Sequence, residues 1–177
     1  MSVLAHSEIL DAIDSGRIKI DPYDPANVGP ASVDLHMSRA FRLFVRLPMT
    51  MPVTDDIDFK QVTKGVWIPE GQSLILRPGE TVLGMTRERV TIAPDLCGWL
   101  EGRSRFARVG LLIHISASFM QPGLDNHQVL EMSNFGHLDL SIEPGTAICQ
   151  FVFQKTVGEA HYAGHFATQT PDTFWRD

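Results

Sequence analysis

The sequence predicts an all-β fold of sandwich or barrel type, entered through one short helix. Two observations carry this. From Arg17 onward, short runs rich in Val, Ile, Leu and Phe recur with the length of strands. Between them stand turn signals: Asp21-Pro22, Gly29-Pro30, Pro69-Glu70-Gly71, Arg77-Pro78-Gly79-Glu80, Ala93-Pro94-Asp95, Gln121-Pro122-Gly123 and Glu143-Pro144-Gly145. Such regular punctuation belongs to antiparallel β-proteins.

The elements follow in order. Ser7 is a candidate N-cap for a helix through Ile9, Leu10 and Ile13, with Glu8 favouring its positive end and Gly16 ending it. Candidate strands span 32–35, 41–45, 73–76, 81–85, 97–100, 111–115, 128–133, 138–142 and 148–153. The segment 48–65 is polar and aperiodic, so it reads as a long surface excursion. From about 158 to 177 the chain is a tail with Tyr162, Phe166, Phe174 and Trp175 but no clear period. It is expected to pack on the core or to close over something.

With 177 residues, 44% of them hydrophobic, the chain suffices for one core and reads as a single domain, 1–177. A net charge of −6 argues against a nucleic-acid duplex as partner, which demands a clustered basic face. A small anionic ligand stays possible, because a few local arginines suffice for it. No apolar stretch has the length of a membrane span, and the N-terminus lacks a signal-peptide pattern, so a cytoplasmic protein is expected. Cys97 and Cys149 lie in apolar runs and read as buried small hydrophobes.

Three constellations could carry chemistry. The run Glu101-Gly102-Arg103-Ser104-Arg105-Phe106-Ala107-Arg108 gathers three guanidinium groups, a hydroxyl and a glycine. Arginine grips phosphate through a planar fork of donors, so the composition suits a polyphosphate; a solvated charged turn has the same composition. In Val129-Leu130-Glu131-Met132 one carboxylate interrupts an apolar strand. Glu131 then needs a cationic partner, a raised pKa or a place on a cavity wall, and a structural ion pair gives the same pattern. Third is His114-Ile115-Ser116-Ala117, leading into Gln121-Pro122-Gly123; the lone His114 reads as a core histidine. The spacing of His127, His137, His161 and His165 does not suit a metal site. The zinc-deaminase signature is absent too, so any deamination of a base would proceed without protein-bound zinc.

Taken in order, these elements resemble the dCTP deaminases of the dCTP deaminase and dUTPase family. The resemblance rests on Gly102-Arg103-Ser104 through Arg108-Val109-Gly110-Leu111, His114-Ile115-Ser116-Ala117 and Met120-Gln121-Pro122-Gly123. It continues with Leu130-Glu131, Asn134, Pro144-Gly145-Thr146 and Ile148-Cys149-Gln150-Phe151-Val152-Phe153. In the N-terminal half it includes Ile20-Asp21-Pro22, Pro30-Ala31-Ser32-Val33-Asp34-Leu35 and Leu76-Arg77-Pro78-Gly79-Glu80. The resemblance implies a distorted β-barrel or jelly roll of the dUTPase-like β-clip type. It also implies a homotrimer with active sites between subunits, and zinc-independent conversion of dCTP to dUTP and ammonia.

By position, the resemblance makes Glu131 the general base that activates water, with Ser104 and Arg108 as the other catalytic residues. Arg103, Ser104, Arg105, Phe106, Ala107 and Arg108 would hold the triphosphate, with magnesium carried on the phosphates. Ala117 would contribute its backbone, and Gln121 stands at the turn where the family has Asp. Val129, Leu130, Gln150 and Tyr162 would line the nucleoside pocket, and His165 and Gln169 would reach the phosphates from the closing tail. Arg105 replaces a family Ser, Asn126 a Gly and His165 a Lys. Two other readings stay open beside deamination. One is a dUTPase-like diphosphohydrolase, alone or coupled to deamination, which Gln121 opposes and for which Asp125 lies at the wrong offset. The other is a regulatory trimer that binds nucleotide without turnover.

Overall fold

The computed structural model describes residues 2–164 and 166–176. Its elements are α1 (His6–Asp14), β1 (Ile18–Asp21), β2 (Val33–Phe44), β3 (Thr63–Trp67), β4 (Leu74–Leu76), β5 (Thr81–Ile92), β6 (Leu96–Gly102) and α2 (Ser104–Ala107). They continue with β7 (Leu111–Ile113), β8 (Phe119–Met120), β9 (Asp125–Asn134), β10 (Leu140–Ile142), β11 (Ala147–Lys155) and α3 (Pro171–Trp175). Nine strands form one sheet along the path β7-β9-β5-β2-β11-β6-β8, with β1 added on β5 and β3 on β2; β10 and β4 pair separately. All pairings are antiparallel. The sheet curls on itself, since a Cβ added to Gly102 at the end of β6 would stand 3.4 Å from Ile113 Cβ on β7. The all-β reading holds, and the curled sheet is its form.

Alternation along β9 shows how the sheet divides its residues. Asn126, Gln128, Leu130, Met132 and Asn134 are buried, while His127, Val129, Glu131 and Ser133 are half-buried on the other face. The core that receives β9 includes Leu35, Phe41, Leu100, Phe151 and Phe153, each almost wholly shielded from solvent. Cys97 and Cys149 are free and buried there.

Several expectations are corrected. The N-cap of α1 is Ala5, without a side-chain hydrogen bond; His6 N donates instead to Pro30 O at 2.8 Å, which ties the helix start to the neighbouring loop. The runs 32–35 and 41–45 form one strand, β2, whose register shifts between Met37 and Phe41. β5 continues past Met85 through polar residues, because the sheet satisfies them. Glu88, only 1% exposed, accepts from His36 N, from His36 Nδ1 and from the Arg87 guanidinium. Thr86 Oγ1, also buried, accepts from Gln128 N at 2.9 Å.

The tail ends in α3, which is docked rather than free. Phe174 is buried with Ala40 and Met85, stacks on Phe59 and accepts from Arg42 Nη1 at 2.7 Å. Arg42 is itself wholly buried and also donates to Thr63 Oγ1 and Thr63 O. Lys60 Nζ donates to Arg176 O, and Trp175 packs on Trp67. Gly65 on β3 permits this approach, since a Cβ there would lie 1.6 Å from Trp175 O.

Candidate active site

Glu131 stands on β9 opposite Leu83 of β5, on the half-buried face. Its Oε2 accepts from Ser116 N at 2.9 Å and from Ser116 Oγ at 3.2 Å. These two donors orient the carboxylate, and Oε1 has no hydrogen-bond partner among the described residues. The arrangement leaves one carboxylate oxygen to receive a proton or a water.

A pocket of about 440 Å³ opens beside this carboxylate. Val129, His114, Ala117, Gln121 and the buried amides Asn126 and Gln128 line it, together with apolar side chains that include Leu83 and Phe119. One wall comes from the tail, from Tyr162, Phe166, Gln169 and Phe174, and Phe166 and Phe174 pack on Phe59 of the long excursion. Backbone hydrogen bonds set this wall, since Tyr162 N donates to Pro122 O and Ala160 N to Pro94 O. Asn126 Nδ2 donates to Phe166 O, and Gln169 Nε2 to His127 O.

His114 follows β7 with φ of 58° and is 9% exposed. This left-handed conformation, which His tolerates better than most residues, breaks the strand alternation just where the ring meets the pocket. Ala117 O can only accept, so His114 Nε2 carries the proton and donates at 2.8 Å. Nδ1 is left buried with a lone pair and no partner among the described residues. Burial holds the imidazole below its usual range, against the opposing pull of Glu131, so the ring is neutral.

The arginine segment forms a second, polar pocket of about 300 Å³ with Gly29, Pro30, Ser32, Asp34, Ser104, Arg105 and Gln150. Arg103 is already partnered there, with Nη2 3.0 Å from Asp34 Oδ2 and Nη1 donating to Ala147 O. The side chains of Arg105 and Arg108 engage no ion pair or hydrogen bond among the described residues and stand in solvent with Ser104. The two pockets share no lining residue.

The structure therefore brings Glu131, Ala117, Gln121, Val129, Tyr162 and Gln169 together, and places Arg103, Ser104, Arg105 and Gln150 elsewhere. Gln150 goes with the arginines because β11 pairs with β6, which leads into Arg103; Ser32 Oγ donates to its Oε1. Leu130 is a correction: its side chain is fully buried on the core face of β9 and does not line the pocket. Phe106 packs against the core, and Ala107 and Arg108 line neither pocket. His165 lies outside the described residues. Asp125 is held by Arg89 and Thr91 on the exposed edge, and the Arg89 guanidinium keeps its carboxyl below the usual range.

Sequence reasoning missed Ser116, Asn126, Gln128 and Phe59. Ser116 had a signal in its place beside His114. Gln128 had only strand alternation to mark it as inward, and Asn126 only its place where the family has Gly. Phe59 had no signal, because the excursion carries no period.

Residues 3–156 match the family described as dCTP deaminase-like. The chain belongs to that family. Among curated relatives, the "dCTP deaminase, dUMP-forming" of Clavibacter michiganensis is 37% identical over 97% of this chain and 88% of its own. The protein of the same description from Nocardioides is 36% identical over 97% of this chain and 93% of its own. The crystal structure of 2'-deoxycytidine 5'-triphosphate deaminase from Agrobacterium tumefaciens superposes with a TM-score of 0.67 at 19% identity. That match covers 87% of this chain and 48% of the other, so this family member spans about half of that protein's length. The likeness supports the fold. No group of three or more His, Cys, Asp or Glu side chains that could hold a metal occurs among the described residues. No described helix is long and apolar enough to cross a membrane.

Proposed function

We propose that this chain deaminates dCTP, with Glu131 as the general base. The observation that carries the reading is the Glu131 carboxylate, fixed through Oε2 by Ser116 and facing a pocket of about 440 Å³ walled by the tail. In this reading a water gives its proton to Glu131 and adds to cytosine C4. The C4–N4 bond then breaks, and the proton leaves with ammonia. The tail wall excludes bulk water, which would otherwise weaken every charge interaction in the pocket.

The reading places the triphosphate against Ser104, Arg105 and Arg108, whose side-chain donors are unengaged among the described residues, and not primarily against Arg103, which Asp34 neutralises. Because Ser104 and Arg105 lie in a different pocket from Glu131 and Arg108 lines neither, the proposed site is composite: the arginine segment of one subunit meets the Glu131 pocket of the next in a homotrimer. Magnesium enters as part of the substrate, carried on the phosphates, and the deamination uses no protein-held zinc.

A second reading, cleavage onward to dUMP, is favoured by the names of the curated relatives. Against it, Gln121 offers no carboxylate and Asp125 is bound to Arg89 away from the pocket. Incubation with dCTP and magnesium, followed by ion-exchange separation against dUTP and dUMP standards, tests both. dUTP with released ammonia is expected from deamination alone, and dUMP from the coupled reaction. The absence of any product would overturn both and leave a nucleotide-binding trimer.

A further inference from the structure

Buried polar atoms are nearly always paired, so an unpaired one on a ring that lines a pocket calls for an explanation, and a ligand donor is one. His114 Nδ1 is such an atom: it is buried, lacks a partner among the described residues and belongs to a ring that lines the Glu131 pocket. Its role is fixed by the other nitrogen. With Nε2–H committed to Ala117 O, Nδ1 can only accept. The ring is also locked in place, by that hydrogen bond on one side and on the other by His114 N donating to Glu131 O at 2.7 Å. The acceptor and the catalytic carboxylate are thus mounted on adjoining backbone.

We propose that His114 Nδ1 accepts a hydrogen bond from the 4-amino group of cytosine and so selects the substrate base over the product base. This rests on the reading of the Glu131 pocket as the deamination site. At position 4 cytosine presents an N–H donor, whereas uracil presents a carbonyl oxygen that only accepts. A lone pair held at Nδ1 attracts the first and repels the second. The same atom therefore favours binding of substrate and release of product, with no rearrangement of the site between the two. Asn126 does not substitute for it: its Oδ1 accepts from Gln128 Nε2 and its Nδ2 donates to Phe166 O. Gln128 Oε1 is a second acceptor on the pocket wall, but it is not held beside Glu131 through the backbone as His114 is.

The test uses a Glu131→Ala parent, which has no base for turnover and adds no amide near Nδ1. Calorimetric titration with dCTP and with dUTP, each with magnesium, gives the ratio of the two affinities before and after His114→Asn. Asparagine tolerates the left-handed backbone at this position. The parent is expected to prefer dCTP, and the substitution to reduce that preference about tenfold, the worth of one neutral hydrogen bond. Equal weakening of both nucleotides would make His114 a structural support only and overturn the proposal.

A second measurement leaves His114 intact. In the 15N spectrum of the parent, the Nδ1 resonance is expected to move to lower frequency when dCTP binds and to stay in place with dUTP; an unmoved resonance with bound dCTP overturns the proposal. A parent that binds neither nucleotide would instead remove the deamination reading of the pocket, and this inference with it. A parent that binds both equally well refutes the selection alone.

Discussion

The Glu131 pocket and the arginine pocket are built on opposite plans. The first is largely apolar, walled by aromatic side chains of the tail and the excursion, and its amides are bonded to each other or to nearby backbone. The second is polar and lies at the strand end that carries Arg103, with the guanidinium of Arg105 unpaired among the described residues. One suits a flat base that must lose its water, the other a charged chain that must keep strong donors. Neither suffices for a nucleoside triphosphate. In the proposed reading, a single subunit holds two half-sites, and chemistry requires their juxtaposition.

The largest expected effect breaks this division directly. Glu131→Gln is expected to lower turnover about 10³-fold, within the range of a general base, and Arg108→Ala to abolish productive binding of the triphosphate. Mixing the two inactive proteins after brief unfolding and refolding should restore activity, because some mixed trimers pair an intact Glu131 with an intact Arg108. A steady-state ammonia assay checks this, and no recovery would mean that both half-sites serve one chain.

A smaller effect sharpens the role of the tail wall. Gly65→Ala drives a methyl group into Trp175 O and should cost about 1–3 kcal/mol, as overpacking does. Thermal melting is expected to show the loss, and limited proteolysis to cut the tail sooner. KM for dCTP should rise with little change in kcat; an unchanged KM would show that the wall does not contribute to the pocket.

The smallest effect is on pH. Burial lowers the pKa of His114 and His127 below their ordinary 6.5, so both are neutral in the fold but protonate once unfolded. The unfolded chain then binds more protons below that value. Stability should be complete above pH 6.5 and fall as the medium is acidified through it. Asp125, with its carboxyl held down by Arg89, adds a separate loss below its ordinary 3.8. Melting curves across the acidic range check the sign; a protein more stable at pH 5.5 than at pH 7.5 would contradict it.

Most of the sheet was legible because its strands are apolar runs between turns, as in β6, β9 and β11. Legibility stopped where burial is polar. In β5, Thr86-Arg87-Glu88-Arg89 looks like the end of a strand, yet the partners that bury Thr86 and Glu88 come from β2 and β9, far off in sequence. β3 was hidden in the excursion because Thr63–Trp67 has little alternation of its own and gains its place by pairing with β2. Of the site, Glu131 and the arginine run stood out as charge in unusual surroundings. His114 looked like core, and it is buried; only its backbone conformation turns it to use. That conformation leaves no mark in composition.

Arg42 gives the tail a second meaning. A guanidinium sealed inside the protein takes a carbonyl of the last helix as one of its acceptors, so the end of the chain is also part of what makes the interior tolerable to charge. The segment that walls the pocket is then a bridge fixed at both banks, at Pro94 and Pro122 on one side and at Arg42 and Gly65 on the other. Between the banks it is pinned again, by Asn126 at Phe166 and by His127 at Gln169, so in the proposed reading a nucleotide that enters past the tail must trade against those contacts.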